Sequence, residues 1–487
     1  MPTRLLLIAI LTACCLPSRA WACYAVIVGR EASIDGSVLV GHNEQNGGRR
    51  ILNFRRIPRR QFREDAVVQL HRGGRLEQVP ETWSYLWSEN PGLEFSDAYI
   101  NEWGVSIVSD SCRTREDDYA ALVARGEIRN GGIGYMLRRL VVERAKNARE
   151  GVRLAGQLVE RFGYVFSGRS YVIADAREAW VFAAVEGRRW AAQRVPDDRV
   201  VILPNVHIIG ETDFSDATNF LAAPDLIDYA VRRGWFDPDG GEPFNFRKAY
   251  GARPVDQPDP RRLRGRQLVM GRDAAESSND SLSFGVEPEK KMTVEAVLEI
   301  LRDTGGSVPL CTPVTQEGTV FQLRADMPVP VGCVYWRTTA APYTSLLTPW
   351  YVGVTSTPSH YSRPATIEQA VSLDHHFQPP MGTFDSDSTL AWWKFKRLQD
   401  LVCEDFGNRA ANVRAAQAAF EGELFERQPA VERKALELWR TDRDGARRYL
   451  TEYCADTAAQ ACREADRMTA QFTPVRRKNA DAPKASK

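Results

Sequence analysis

A cysteine at the entrance of a short apolar strand is the feature that most constrains this sequence. Residues 20–29 read AWACYAVIVG, so Cys23 stands directly behind the small-x-small tripeptide Ala20-Trp21-Ala22. Upstream, Arg4 and the apolar run 5–16 have the charge and length of a secretory signal, and the run is too short to span a bilayer. We therefore predict a signal peptide over residues 1–22. Its removal makes Cys23 the first residue, which then carries both a thiol and a free α-amino group.

A second processing site competes with this one. The segment 11–14 (LTAC) resembles a lipoprotein site, which would acylate Cys14. The apolar stretch before Cys14 is very short, and processing there leaves Cys23 inside the chain, so we favour cleavage before Cys23. The expected location is the periplasm or the extracellular space, with lipid anchoring at Cys14 as the alternative.

Composition places the chain among ordinary globular proteins. Its 487 residues are 43% hydrophobic and 26% charged, which is enough material for a large core. The formal net charge is +1, and no internal apolar run approaches membrane-spanning length. We therefore expect neither a nucleic-acid partner nor a membrane span.

Cysteine number fits an exported chain. Three pairs and one unpaired thiol would account for the seven cysteines after residue 22, and in an oxidising compartment the unpaired thiol is the reactive candidate. Partial pairing, with several buried free thiols, is the alternative. The seven are Cys23, Cys112, Cys311, Cys333, Cys403, Cys454 and Cys462.

The first strand leads into a predicted hairpin. Residues 24–28 and 37–41 have the composition of strands, and Asp35-Gly36 between them is a turn signal. If the chain reverses near residue 32 or 33, antiparallel pairing puts Cys23 opposite about residue 42. The polar segment 42–46 (HNEQN) is therefore expected beside the thiol.

The remaining pattern alternates between blocks of strands and blocks of helices. This order favours an α+β layered fold over a regular parallel α/β sheet. We predict one domain over residues 23–470, with a helical C-terminal part, and a disordered basic tail over 471–487. The blocks are strands in 98–109 and 171–210, a helical stripe in 134–162, a loop in 237–267, a helix in 294–303, strands in 318–354 and helices in 386–470.

A nucleophilic cysteine needs a base or a lowered pKa. The six histidines of this chain form no Cys/His peptidase signature. An N-terminal cysteine has another base available, because its own α-amino group has an ordinary pKa of about 7.7–8.0. That amine can accept the thiol proton directly or through a water molecule.

Several segments, in order, carry a resemblance to a known family. The opening CYAVIVGREASIDGSVLVGHNE resembles the start of the dipeptidase A/secernin family of N-terminal-nucleophile (Ntn) cysteine hydrolases. NEWGVSI (101–107) resembles the Asn-Glu-x-Gly segment of that family. Later similarities lie in 132–152, 174–198, 322–336 and 388–395. The resemblance extends from Cys23 to about residue 440.

This resemblance implies a fold and a chemistry. The fold is a four-layer αββα Ntn-hydrolase sandwich, and the reaction is amide hydrolysis, typically of dipeptides, with Cys23 as nucleophile. Two asparagines assist the oxyanion in the wider group of such amidases, and they match Asn101 and Asn205 in this sequence. An amide suits that role because it donates a hydrogen bond without changing its protonation state. No cofactor and no metal are expected for the reaction.

One stretch departs from the family pattern. The family commonly has Arg or Lys and, three residues later, Asp after the second strand; this sequence has His42 and Gln45 at those places. The Asp normally helps to hold the α-amino group. Either Glu44 supplies the charge from the neighbouring position, or His42 is a variant partner of the thiol, and the sequence leaves both open.

Three other motifs have weaker interpretations. NGGIGY (130–135) lacks the Lys and Ser/Thr of a phosphate loop and is interpreted as a turn before a helix. His375 and His376 lack spaced partners and are not interpreted as metal ligands. The basic stretch 261–266 (RRLRGR) is interpreted as a solvated loop, in which Arg261 and Arg264 are candidates for binding a substrate carboxylate.

The sequence therefore favours an exported cysteine dipeptidase whose partners are small peptide substrates. An N-acyl amide hydrolase of the penicillin V acylase type would use the same nucleophile. A non-catalytic Ntn-fold binding protein is the third hypothesis, with HNEQ marking lost chemistry. Whether the chain forms a homo-oligomer is left open.

Overall fold

Antiparallel strands dominate the first part of the chain and long helices the last part. The structure is a computed structural model, and it describes residues 23–45, 52–90, 96–252, 259–277, 282–306, 308–362 and 387–473. The predicted signal peptide 1–22, the pair His375-His376 and the residues from 474 onward lie outside the described residues.

The strands and helices follow one another along the chain with few long connections. The strands are β1 (Tyr24–Val28), β2 (Val38–Gln45), β3 (Asn53–Ile57), β4 (Arg60–Gln61), β5 (Val67–Gln69), β6 (Arg75–Glu77), β7 (Glu81–Thr82), β8 (Tyr85–Glu89), β9 (Ser96–Asn101), β10 (Ser106–Ser111), β11 (Arg169–Ala174), β12 (Ala179–Ala184), β13 (Trp190–Arg194), β14 (Val200–Leu203), β15 (Phe220–Ala222), β16 (Gly285–Val286), β17 (Thr315–Leu323), β18 (Cys333–Thr339) and β19 (Leu347–Tyr351). The α-helices are α1 (Tyr119–Ala124), α2 (Leu137–Val142), α3 (Ala148–Phe162), α4 (Leu226–Arg232), α5 (Phe246–Tyr250), α6 (Pro260–Met270), α7 (Arg272–Ser277), α8 (Val294–Leu301), α9 (Val329–Gly332), α10 (Ala391–Glu404), α11 (Phe406–Thr441) and α12 (Arg443–Phe472).

Two large antiparallel sheets form the centre of the molecule. One has the order β16-β14-β1-β2-β17-β18-β19, and the other has the order β15-β13-β12-β11-β10-β9-β8-β3. Ile27 and Val40, which pair with each other in the first sheet, share one buried core with Val108 and Val172 of the second, so the two sheets pack face to face. The predicted α+β class with a helical C-terminal part is therefore confirmed.

The first hairpin forms as the sequence predicts. Asp35 stabilises its turn by accepting hydrogen bonds from the backbone N–H and the hydroxyl of Ser37. Gly36 has φ +74°, which is in the left-handed region that favours glycine. The register pairs Tyr24 with Asn43 and Ala25 with His42. Cys23 is therefore level with residue 44 and not with residue 42, a shift of two residues from the predicted register.

Helices cover the outer face of each sheet. Leu140 of α2 and Val152 of α3 share a second core with Ile107 and Ile173 of the second sheet. The predicted single helix over 134–162 is divided between α2 and α3. Asn147 causes the division, because its backbone is extended and its side chain caps α3 by accepting from the Glu150 N–H at 2.8 Å.

The loop predicted over residues 237–267 is wrong at α5 and again from Pro260 onward, where α6 begins. Asp259 caps this helix by accepting from the Arg261 N–H at 2.9 Å, and Pro260 occupies its first turn. The inward face of α6 carries Arg261, Gly265 and Arg266, all buried. Because that face lacks an apolar stripe, its helical periodicity is invisible to a hydrophobicity pattern.

The last helices form as predicted for residues 386–470, and they pack on the first sheet. Two buried ion pairs attach α11 to this sheet region: Arg302 to Glu421 and Arg324 to Glu432, each at 2.6 Å. Helix α12 ends at Phe472, just beyond the predicted boundary at 470. Among the described helices, none combines the length and apolar character needed to cross a membrane.

The cysteines do not form the predicted pairs. All seven cysteines of the described residues are free thiols, and six of them are buried. Cys112, Cys311, Cys333 and Cys454 serve as small core residues, and burial raises the pKa of each thiol to about 12. The alternative of several buried free thiols therefore describes the structure better than three disulfides do.

Close packing of α6 on β1 leads to a stability prediction. A Cβ at Gly265 would come within 1.8 Å of the Tyr24 Oη. We expect Gly265→Ala to lower the free energy of unfolding by about 1–3 kcal/mol, because the helix must move off the strand. Gly422 in α11 is the matched control, because a Cβ there has no neighbour within 4 Å. Gly422→Ala is expected to be neutral or to stabilise by up to about 1 kcal/mol. Urea unfolding of both variants tests this, and equal stabilities would contradict the tight contact.

Candidate active site

Cys23 lies at the entrance of β1, the third of the seven strands in its sheet. β1 pairs with β2 on one side and with β14 on the other. Extending both registers by the same spacing puts Glu44 beside Cys23 on the β2 side and Asn205 beside it on the β14 side. Two candidate residues from distant parts of the chain are thus brought to one position by strand pairing.

The thiol of Cys23 is enclosed by polar groups. Its Sγ lies 3.4 Å from Glu44 Oε1 and 4.0 Å from the backbone oxygen of Gln45. Only 7% of the residue is exposed. A thiol donates a weak hydrogen bond, and both neighbours are acceptors, so the structure describes a protonated sulfur.

His42 and Asp110 complete the surroundings of the thiol. In β2, Gly41 and Asn43 face helix α8, so Val40, His42 and Glu44 face the second sheet. Asp110 lies on β10 of that sheet, two residues beyond the inward-facing Val108. His42 Nε2 is 3.5 Å from Asp110 Oδ1 and 4.0 Å from Glu44 Oε2.

Electrostatics keep this thiol protonated. Burial, followed by the carboxylates of Glu44 and Asp110, raises the pKa of Cys23 well above its ordinary value. Burial alone would lower the pKa of His42, but the Asp110 carboxylate 3.5 Å away, with the charge of Glu44, raises it overall. The site therefore favours positive charge and disfavours a thiolate until a further cation is present.

Arg261 connects Cys23 with Asn205. Its Nη1 donates to the backbone oxygen of Cys23 at 3.1 Å, and its Nη2 donates to Asn205 Oδ1 at 3.0 Å. The Asn205 amide donates in turn to the backbone oxygen of Ser111 at 2.9 Å. One N–H of Asn205 accounts for that bond, and among the described residues the other N–H has no acceptor, so it is available to a ligand.

These contacts change the interpretation of the two arginines. Arg261 is buried and orients the nucleophile strand and Asn205, which corrects its predicted role in binding a substrate carboxylate. Arg264 is held in an ion pair with Asp303, with Nη2 2.6 Å from Oδ1. The stretch 261–266 is a structural helix and not the solvated loop that was predicted.

Asn101 occupies a closed hydrogen-bond network in the second sheet. Its amide nitrogen donates to the backbone oxygens of Val142 and Ala145, both at 2.8 Å. Its Oδ1 accepts from the N–H groups of Trp103 and Val105, both at 3.0 Å. Both amide hydrogens are used, so Asn101 has no donor for an oxyanion. Its place is that of a turn-forming Asn, which corrects the role expected from the resemblance.

The remaining polar residues after the second strand serve packing. The amide nitrogen of Asn43 donates to the backbone oxygens of Leu301 and Leu310, and that of Gln45 donates to Leu310 O at 2.8 Å. Gln45 therefore presents only its backbone oxygen to the thiol. Glu44 is the carboxylate of this segment that reaches Cys23, as one of the two sequence hypotheses proposed.

Sequence reasoning missed Asp110. It lies in SIVSDS (106–111), a strand in which an acid would otherwise face water. The signal was its position in the strand. Residues two apart in a strand face the same side of the sheet, so Asp110 faces the same side as the apolar Val108, towards the core. A buried acid on a core-facing strand position is a candidate functional residue.

Comparison with known proteins now adds to this geometry. The model of a family described as "Peptidase family C69" matches residues 22–305, which is more than half of the chain. The chain belongs to peptidase family C69. The family predicted from the sequence is thereby confirmed, and so is the enzyme class, a cysteine peptidase.

Curated relatives of this C69 peptidase cover most of its length. A "Probable dipeptidase" from Salmonella dublin is 26% identical and covers 68% of this chain and 81% of the relative. A "Probable dipeptidase B" from Streptococcus pyogenes serotype M1 is 23% identical and covers 88% and 95%. A "Probable dipeptidase B" from Lactococcus lactis is 28% identical over 70% and 77%.

Solved structures resemble the chain only distantly. A mutant of the conjugated bile acid hydrolase from Clostridium perfringens is 14% identical, with a TM-score of 0.32, and covers 68% of this chain and 92% of that one. A Caenorhabditis elegans N-acylethanolamine-hydrolyzing acid amidase ortholog is 11% identical, with a TM-score of 0.26, over 61% and 91%.

The two asparagines of the C69 peptidase are predicted to respond differently to truncation. Asn205→Ala removes an amide beside Cys23, and we expect kcat to fall about 10²–10³-fold with a smaller change in KM. Asn101→Ala leaves four backbone groups without partners, so we expect loss of stability by about 1–3 kcal/mol and a near-normal kcat for the folded fraction. Steady-state kinetics and urea unfolding of both variants decide this. An unchanged kcat for Asn205→Ala would make that residue structural.

Proposed function

We propose that this chain is an exported dipeptidase with an N-terminal-nucleophile mechanism and the four-layer αββα architecture of that class. The observation that carries the proposal is the position of Cys23. It lies directly after a small-x-small tripeptide and at the entrance of a central strand, with its thiol between Glu44 and Asp110. The two face-to-face sheets with helices outside are compatible with this architecture.

Processing after Ala22 is the step that activates the thiol. In the uncleaved chain, burial and two carboxylates disfavour the thiolate. Cleavage places an α-amino group on Cys23 itself. In its neutral form that amine accepts the thiol proton, and the resulting ammonium stabilises the thiolate beside it. The precursor is accordingly inactive.

The catalytic cycle then balances with no further reactant except water. The thiolate attacks the scissile carbonyl carbon, and the carbonyl becomes an oxyanion that accepts from the remaining N–H of Asn205. The carbon–nitrogen bond breaks as the α-ammonium returns its proton to the leaving amine, which gives a thioester. Water, deprotonated by the same amine, hydrolyses the thioester and restores the thiol.

Arg261 supports this cycle as a positioning residue. It fixes the carbonyl of Cys23 and the oxygen of the Asn205 amide at the same time. With its oxygen held by Arg261 and one N–H bonded to the Ser111 oxygen, the Asn205 amide has a fixed orientation. Preorganised donors of this kind stabilise an oxyanion without rearrangement during the reaction.

His42 is less well suited to act as the base. In a Cys–His–Asp arrangement the two ring nitrogens face opposite partners. In this site one nitrogen, Nε2, is the atom closest to both carboxylates, at 3.5 Å from Asp110 and 4.0 Å from Glu44. The imidazole therefore serves better as a charge partner of the acids than as a relay between Cys23 and an acid.

Dipeptides are the proposed substrates because the curated relatives are named as dipeptidases over most of this chain. Export rests on the features of residues 1–22, and the periplasm or the extracellular space is the proposed location. Lipid anchoring at Cys14 is the alternative outcome of processing.

Maturation and nucleophile are tested together. Intact-mass analysis of the exported protein is expected to give a chain that begins at Cys23. That chain is expected to hydrolyse members of a dipeptide panel, Cys23→Ala to be inactive, and Cys23→Ser to keep a small residual rate. A mature chain that begins at lipid-bearing Cys14 would contradict the mechanism, as would normal turnover by Cys23→Ala. Hydrolysis of N-acyl amino acids but of no dipeptide would change the substrate class.

The role of Glu44 is tested by the pH dependence of kcat/KM. A carboxylate near the α-amino group raises the pKa of that amine by favouring its charged form. Glu44→Gln removes this effect, so the amine stays neutral to lower pH. We expect the acidic limb of the profile to move to lower pH, with a reduced maximal rate.

Two further variants complete this pH test. Glu423→Gln, at an exposed position on α11, is the control and is expected to leave the limb unchanged. His42→Arg is expected to be tolerated, because it supplies a cation to the same two carboxylates. An unchanged limb for Glu44→Gln, together with inactivation by His42→Arg, would make the histidine the partner of Cys23.

A further inference from the structure

The surroundings of Cys23 contain a set of donors that peptide hydrolysis does not require together. One ligand atom each from Cys23, His42 and Asp110 lies within 4.8 Å of the other two. All three residues are buried, and they come from three different strands or strand ends of the two sheets. A thiol, an imidazole and a carboxylate in one small volume form a donor set typical of zinc sites.

The donor atoms are also poorly satisfied in their buried positions. His42 Nε2 and both carboxylate oxygens of Asp110 are buried and have no hydrogen-bond partner within geometric limits among the described residues. Buried polar atoms are normally paired, and buried carboxylates are paired or coordinate metals. Two independent observations, the donor set and these unpartnered atoms, therefore point to a cationic ligand.

The spacing is suitable for a small divalent ion. Around a tetrahedral Zn²⁺ with bonds of about 2.0–2.3 Å, donor atoms lie about 3.3–3.7 Å apart, so the set closes with side-chain movements of about 1 Å. His42 Nε2 and Asp110 Oδ1 already lie at 3.5 Å. After cleavage, the α-amino group of Cys23 adds a nitrogen donor adjacent to the sulfur.

We propose that this site binds one zinc ion through Cys23, His42 and Asp110, and that bound zinc inhibits the peptidase. Binding replaces the thiol proton, which is released to solvent, by a sulfur–zinc bond. No oxidant or reductant takes part. The sulfur lone pair that attacks the substrate is then held by the metal, so the nucleophile is blocked. The inhibitory part rests on the proposed function, whereas zinc binding does not.

Cobalt substitution tests the ligands without any assay of activity. The purified chain, with its N-terminus determined by mass spectrometry, is freed of metal by a chelator, which is then removed. Titration with Co²⁺ is expected to give one equivalent with a thiolate-to-cobalt charge-transfer band and intense visible bands typical of tetrahedral coordination. Zn²⁺ is expected to displace the cobalt. Absence of any stoichiometric binding would overturn the proposal.

Variants assign the donors. Cys23→Ser is expected to abolish the charge-transfer band, and Asp110→Asn and His42→Gln to weaken the affinity at least about tenfold each. Cys403→Ser is the matched control, because Cys403 is the exposed free thiol, 3.1 Å from the hydroxyl of Tyr343. It should keep both band and affinity. A band that survives in Cys23→Ser, or that is lost in Cys403→Ser, would overturn the assignment.

A measurement on the wild-type chain covers the case in which the variants fail to fold. Saturating Zn²⁺ is expected to protect Cys23 from alkylation by at least about tenfold, while Cys403 of the same molecules stays reactive, as read by peptide mass spectrometry. Equal protection of both thiols, or of neither, contradicts the site.

Inhibition of the peptidase by zinc is measured separately from zinc binding. If the chain hydrolyses dipeptides, the loss of rate should follow zinc occupancy and be reversed by the chelator. Full activity at full occupancy would overturn inhibition. A chain that hydrolyses nothing refutes the proposed function, and the cobalt spectrum still decides the metal site.

Discussion

The pairing of β1 on both of its edges is the constraint on which the candidate site depends. β1 has only five residues, yet β2 and β14 bond to it from both sides, and their registers bring Glu44 and Asn205 to its entrance. A slip of one residue in either pairing would turn these side chains to the opposite face. β1 is buried on both faces, so such a slip would disrupt the packing of its side chains on both sides of the sheet. The backbone hydrogen bonds of β1 with β2 and β14 therefore determine both the packing of the core and the residues that surround Cys23.

Electrostatics around the thiol follow from that enclosure. Cys23, Glu44 and Asp110 are all buried, and the two acids oppose ionisation of the thiol until a further cation joins the site. The α-ammonium group formed by processing and a divalent metal ion would each supply a cation next to the sulfur, and both involve Cys23. Their effects differ: the ammonium group would stabilise the thiolate that attacks the substrate, whereas the metal ion would bind the sulfur and block that attack. The same buried charges thus underlie both proposals, activation by processing and inhibition by zinc.

Local signals in the sequence predicted the hairpin, the neighbourhood of Cys23 and the helical C-terminal part. Turn chemistry at Asp35 and Gly36 and the strand period sufficed for the first two. Helix α6 escaped prediction because its buried face is built from arginine and glycine, whose partners lie far away in sequence. The role of Arg261 escaped for the same reason, since its contacts to Cys23 and Asn205 exist only after the two ends of the sheet have met. Asn101 shows the opposite failure, because a matched motif marked a residue whose amide is already committed to a turn.

The buried ion pairs between α11 and the first sheet have a consequence for the limits of the folding unit. The family match ends at residue 305. β17, which begins at Thr315, lies beyond that match, yet it pairs with the edge of β2 opposite β1. In a chain cut after the matched region, one edge of β2 would be unpaired, and Arg302 would lose its ion-pair partner Glu421. An uncompensated buried charge of this kind costs about 3–5 kcal/mol, a large part of the stability of a typical domain. The segment that the family model matches is therefore smaller than the segment that can fold, because the other neighbour of β2 lies beyond it.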